Sequence, residues 1–422
     1  MSIKKISGLV VTGCLLAFSS YAQVGITPYS SQGIGNVHRP GLVHNRSMGG
    51  IGVGTGNGLN INYVNPALLY KNTLSAFDVA LSFEQSTQRQ GEEEAVVNQG
   101  GIAYGVFAFP IIPNRWSASL GVMPYSTVGY RIAEEGSATG DDAPVRQVQE
   151  GEGGLNLVSF SHGVRLYKNL AVGVRLGYLF GDISETRSIF LANTSGLISV
   201  YEDELYYSDV LIEPSIYFGQ QIARGTTLNV GVVYQPATEV RATNEITFES
   251  RNVGSATSSG LAGDTTISNA TRNVRLPQRL SAGLSVEKYL KYTVGVDVSL
   301  QSWDEFRSYE GTNDGMRRSV EVAAGGQFIP DATSVDSYLA RVAYRLGFNY
   351  RNTPFAVSDQ QISEFGIDFG LSLPVSNLSS INLAFEIGNR GTTEQNLIRE
   401  NYIRATLGVT FNDRWFVRRR FD

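Results

Sequence analysis

Ten charged residues share the polar parity of alternating segments: Arg165, Arg175, Glu213, Asp297, Glu321, Arg341, Arg345, Asp368, Glu386 and Arg404. Each would point away from an apolar face. Charges of both signs held away from water persist when they pair. Their expected role is therefore a salt-bridge network that fills an interior and anchors whatever lies inside it. An ion-selective pore or a carboxylate-binding site is the alternative, although the mixture of signs is not that of an open porin.

Catalytic chemistry finds little to work with. The three histidines are His38, His44 and His162. His38 and His44 are too loosely spaced for a helical metal pair, and His162 falls on the outward parity of its segment. No Gly-x-Ser-x-Gly, zinc motif or phosphate loop appears, so neither an enzyme nor a metal or cofactor site is expected. The net charge is -5 with no basic patch, which argues against a nucleic-acid partner.

Two stretches carry a different kind of chemistry. Arg46 to Tyr70, RSMGGIGVGTGNGLNINYVNPALLY, is glycine-rich and ends in Asn65-Pro66-Ala67, a helix start with an Asn cap and proline at the first position. Within it, Met48, Leu59 and Ile61, with Val64, either floor an apolar pocket or pack against a wall. The second stretch is Met123-Pro124-Tyr125, with Tyr130 beyond it. Proline inside a strand removes a ladder hydrogen bond. The site is either a side opening lined by the tyrosines or a plain bulge.

The elements that must position these residues are strands. Charged residues make up 17%, against about 25% in an average soluble domain. Residues 1–22 read as a secretory signal: Lys4 and Lys5, an apolar run from Leu9 to Phe18, and a Ser20-Tyr21-Ala22 cleavage site. A lipoprotein box ending at Cys14, the only cysteine, is the alternative. Residues 23–74 show no sustained period. From Ser75 to the end, period two takes over. Tyr292, Val294, Val296, Val298 and Leu300, for example, alternate with small or polar residues. About fourteen such strands are expected, including 114–131, 291–308 and 337–352, with short and long links in alternation. The long links are expected near 132–152, 185–204, 246–267 and 391–399. An even strand count with this alternation predicts an all-β fold: an antiparallel transmembrane barrel over 75–422, entered by a plug over 23–74. A large secreted sandwich or propeller is the alternative.

The chain resembles the FadL/TodX family of outer-membrane transporters in four places. Tyr63 to Tyr70 (YVNPALLY) is similar to the family's N-terminal hatch. Leu120 to Ile132 is similar to its third strand, with a Pro-Tyr break. Leu166 to Gly181 is similar to a characteristic hairpin, and Tyr292 to Phe306 to a strand ending in Trp-acid-x-Phe. The signal ending Ala-Gln and the tail from Arg414 to Asp422 resemble Bacteroidota-type members. The resemblance implies a monomeric barrel in the outer membrane, closed by a hatch. It implies passive uptake of hydrophobic molecules such as long-chain fatty acids, with sideways release at the third-strand kink. Outer-membrane lipids, and the barrel-assembly machinery during biogenesis, are the further partners expected. The rival function is a FadL-like barrel that transports nothing and serves as an accessory subunit of a secretion machine.

Overall fold

A strand alternates apolar with small or polar residues when its two faces meet different media. From Ser75 this chain keeps that pattern almost without pause. The structure, a computed structural model, describes residues 27–137, 144–191, 197–252, 262–376 and 378–414. The expected signal segment 1–22, residues 23–26 and the tail beyond 414 lie outside the described residues.

The wall strands are β1 Ser75–Gln90, β2 Glu93–Ile112, β3 Trp116–Ser137, β4 Pro144–Arg165, β5 Leu170–Leu191 and β6 Leu197–Ala223. Strand β7 comes in two runs, Thr226–Gln235 and Thr238–Asn252, and β8 in two more, Ala262–Leu276 and Arg279–Lys288. Then follow β9 Tyr292–Gln301, β10 Ser319–Phe328, β11 Ala343–Val357, β12 Gln360–Pro374, β13 Ser379–Arg390 and β14 Arg399–Asp413. Pro236 and Pro277, which cannot donate to the ladder, sit at the two interruptions. Successive strands pair antiparallel, and β14 pairs with β1 from Arg399↔Arg89 to Asp413↔Ser75. The wall is thus a closed fourteen-strand barrel. Phe77, Leu81 and Phe83 on β1, Leu120 and Val122 on β3, and Ile367 and Phe369 on β12 are among the exposed apolar residues of its outer face. A lipid-facing band is the arrangement that closure makes possible, since it leaves no open edge around most of the wall.

Several expected boundaries move. Most of 132–152 and 185–204 is strand rather than loop, because β3 to β6 run on well beyond the apolar band. Among the described residues no apolar band faces outward there, and most of these residues are only partly buried, so the alternation that marks a half-buried strand fades. Cross-strand polar pairs such as Arg131–Glu150 (2.8 Å) hold these extensions instead. The expected strand 291–308 stops at Gln301, and Trp303–Glu305 forms a 3-10 turn. The expected strand 337–352 begins only at Ala343. Before it, Ser337 caps a one-turn helix, Tyr338–Arg341, by accepting from the Ala340 N–H.

Candidate functional site: the filled lumen and its side seam

Residues 27–74 pack on the inner face of the wall, and glycine makes the fit possible. A Cβ on Gly347 would lie 2.0 Å from the Gly49 nitrogen, and one on Gly231 would lie 1.9 Å from the Val53 carbonyl oxygen. Gly163 and Gly173 face Pro66 and Ala67 in the same way, and Gly325 faces Met48. Backbone thus lies on backbone around much of the barrel's interior.

Polar groups fix the register of this contact. Pro66–Lys71 is a 3-10 helix whose cap is Asn65: its side-chain oxygen accepts from the Ala67 N–H at 3.0 Å, as the Asn-Pro-Ala sequence predicts. The Asn65 amide donates to the Val53 carbonyl (2.7 Å), and Ser215 Oγ accepts from the same Ala67 N–H (3.0 Å). Asp297 accepts from the Gly52 and Val53 N–H groups at 2.7 and 2.8 Å. Arg175 pairs with Glu213, donates to the Tyr63 carbonyl and stacks over the Tyr63 ring. Arg279 completes this group against Glu213 at 2.6 Å.

A larger network lies on the opposite wall. Arg39, from the N-terminal segment, reaches Glu386 at 3.0 Å, Glu364 at 3.5 Å and Glu321 at 3.7 Å. Arg404 bridges Glu386 and Glu84, Arg351 pairs with Glu364, and Arg390 pairs with Glu364 and Glu400. Tyr402 donates to Glu364 and Glu386, and Asn349 donates to Asp368. Burial pulls the Arg39 guanidinium down, but its three carboxylates outweigh that and hold its pKa above the ordinary value. His44 has no such partner. Burial, with Arg345 nearby, lowers its imidazole to about 3, so it is neutral.

Eight of the ten expected network residues make such contacts or lie beside them: Arg175, Glu213, Asp297, Glu321, Arg345, Asp368, Glu386 and Arg404. Arg345 bonds Gln327 and Ser372 at 2.8 and 2.6 Å. Arg165 instead stacks over the Tyr70 ring. Arg341 does not belong to the network. It ends the link helix Tyr338–Arg341 and lies over the Tyr338 ring, because the strand that would have turned it inward starts two residues later. Glu364, Arg390 and Glu400 were missed although they continue the polar parity of their strands. Arg39 had no signal, since its segment has no period.

Of the two alternatives for the glycine-rich stretch, packing describes Met48, Leu59 and Ile61, whereas Val64 lines a cavity of about 70 Å³ with Val53 and Val233. Met48 is buried against Ile51 and Ala323, and Ile61 against Leu42, Tyr63 and Tyr104. Leu59 is half-buried, and its carbonyl accepts from Asn412. None of the three, nor Asn65, Pro66 or Ala67, lines the cavities, because their side chains and backbone are spent on packing. A cavity of about 290 Å³ is charged: Arg39, Arg46, Arg390 and Arg404 line it with Glu84, Asp368, Glu386 and Glu400.

This cavity lies behind a break in the wall. Strands β2 and β3 pair only from Gly105↔Val122 to Ile112↔Trp116. Beyond Val122, at Pro124, the ladder stops, while β3 goes on pairing with β4 to Ser137 through a register shift at Pro124/Ser126. The free margin of β3 is covered from inside: Asn36–Val37 pair with Thr127 and Ser126, and the Thr27 and His38 N–H groups donate to the Gly129 and Tyr125 carbonyls. Pro124 and Thr127 line the cavity on this margin, and Gln99 to Ala103 on the other. Met123 and Tyr125 line a smaller cavity of about 30 Å³ beside Pro124. Tyr130 is buried over Gly151 and lines neither.

Towards the outer end, the link between β9 and β10 folds into the lumen. Trp303, Phe306, Tyr309 and Met316 join Ile34, Phe355 and inward wall residues such as Leu179 and Leu211 in one buried apolar cluster. The Arg275↔Arg307 bridge ties this link to β8.

Comparison with known proteins follows the same lines. The toluene transporter TbuX of Ralstonia pickettii is 14% identical, with a TM-score of 0.57 over 89% of this chain and 98% of that one. A FadL homologue of Pseudomonas aeruginosa is 12% identical, with a TM-score of 0.57 over 89% and 99%. The toluene transporter TodX of Pseudomonas putida is 15% identical, with a TM-score of 0.52 over 89% and 98%. At these identities the likeness is one of fold. No curated protein matches the sequence. A family model described as BamG matches residues 2–422. With that match over nearly its whole length and a barrel of the FadL/TodX type, the chain belongs to the BamG family of outer-membrane proteins.

Proposed function

We propose that this chain is a sealed accessory barrel that works beside the β-barrel assembly machinery of the outer membrane, rather than a conduit. The observation that carries this reading is the lumen. Residues 27–74 act as a hatch laid backbone-to-backbone on wall glycines and locked by buried ion pairs, and an aromatic cluster fills the outer end. A path straight down the lumen would have to unmake both layers. Breaking a buried pair by removing one partner costs roughly 3–5 kcal/mol. The family name, which points to barrel assembly, agrees with a partner role. Depletion of the chain tests it. The expected result is slowed folding of other outer-membrane barrels, read by pulse-labelling and heat-modifiability, with fatty-acid and toluene uptake unchanged. Normal folding with lost uptake would refute it.

One observation favours a second reading, uptake of hydrophobic molecules with sideways release. The cavity behind Pro124 lies between the two margins of the wall break. TbuX and TodX are toluene transporters on the same fold. The same depletion experiment separates the two readings.

A further inference from the structure

The wall break has two margins, and the chain treats them differently. The β3 margin is covered by the chain's own residues 27–38, largely through strand-type hydrogen bonds. The β2 margin, Glu93 to Tyr104, pairs with β1 on one side, and among the described residues it has no strand on the other. This leaves a twelve-residue edge of roughly 40 Å. Its lower end, with Ile102 exposed, opposes Leu81 within the apolar band. Unpaired N–H and C=O groups are not tolerated against lipid tails, which can neither donate nor accept. Along the wet upper part, such an edge is a template for another strand.

Resting on the partner reading above, the geometry points to the β2 edge as a docking site for a β-strand of a partner protein, added edge-on beside Glu93–Tyr104. Two features select a protein strand over a lipid. Main-chain hydrogen bonds are what the edge lacks, and strand addition supplies them. The edge also starts at an acidic tip, Glu92-Glu93-Glu94, all exposed, with Arg89 opposite Glu94 and Arg399 one strand further, opposite Arg89. An anionic lipid headgroup is repelled there. A strand with Lys or Arg at its matching end is attracted, which sets its direction as well as its place. Gly100 and Gly101, in mid-edge, let a foreign backbone approach closely.

Site-specific photo-cross-linking in native outer membranes tests this. A benzophenone amino acid is placed singly at Val96, Asn98 and Ile102 on the edge, and at Val296 on β9 as a lipid-facing control. The full-length chain is used throughout, with barrel closure checked by heat-modifiability. The expected result is a protein adduct at the edge positions only. Mass spectrometry should map it to one extended segment of one partner, with cross-linked positions two residues apart and basic residues beside Glu93 and Glu94. The double variant Glu93→Lys, Glu94→Lys should lower the adduct yield about fivefold. Adducts to lipid alone, to a second copy of this chain, or equal to the control would overturn the docking site. If assembly-machinery subunits still co-purify in that case, the partner reading survives without it. If the edge captures a strand from a protein outside that machinery, the docking site stands and the partner reading falls.

Discussion

Asp297 and Gly347 show how single residues hold residues 27–74 against the inner wall. Asp297 receives two backbone N–H groups from the hatch, and charged acceptors make the stronger hydrogen bonds. Asp297→Ala leaves both donors buried and unpaired, at about 1–3 kcal/mol each. The expected outcome is hatch release: residues 40–60 become cleavable by added protease while the closed wall keeps its heat-modifiable mobility. Gly347→Val should act alike, because its Cβ would meet the Gly49 nitrogen, which belongs to backbone and cannot swing away. His44 adds a pH dependence. Its imidazole stays neutral down to about 3 in the folded protein, against about 6.5 when free. The undocked segment therefore takes up the proton first. Docking is at full strength above pH 6.5 and weakens as pH falls from there towards 3. Protease protection of the hatch, measured across that window, should fall in the parent chain and fall less in His44→Gln.

At the scale of elements, the proposed seal of the barrel has two layers acting in series. Removal of the β9–β10 aromatic cluster by Trp303→Ala and Phe306→Ala should leave planar-bilayer conductance near zero, because the hatch still fills the lumen below. Deletion of residues 27–74 should open the barrel and sensitise cells to large antibiotics. Conductance from the aromatic variant alone would place the seal at the outer end instead. The elements also show what could be read from sequence and what could not. Membrane-level strands were legible because lipid on one side and a packed lumen on the other force a period of two, as in Tyr292 to Leu300. The outer extensions of β3 to β6 were not, because beyond the lipid no apolar outer face keeps that constraint. The Trp303 turn read as strand because its aromatic residues suit a lipid face, yet they turn inward to cap the lumen. The hatch helix was legible from Asn65-Pro66 alone, since capping is local chemistry. Its surroundings were not, because a close backbone fit against wall glycines depends on residues far apart in the chain. The open choice between pocket and packing has the same origin: Met48 and Ile61, which pack, and Val64, which lines a cavity, are apolar alike.

For the whole molecule, the two proposed roles predict different company in the membrane. A transporter of small molecules is complete as a monomer. A sealed barrel with a charged lumen and an unpaired wall edge needs a neighbour to have a purpose. The decisive measurement is quantitative mass spectrometry of the full-length chain isolated from native outer membranes under mild detergent. The expected result is recovery of assembly-machinery subunits in fixed, near-stoichiometric amounts. Isolation of the chain alone, with toluene or fatty-acid uptake lost when it is deleted, would contradict the sealed-partner reading.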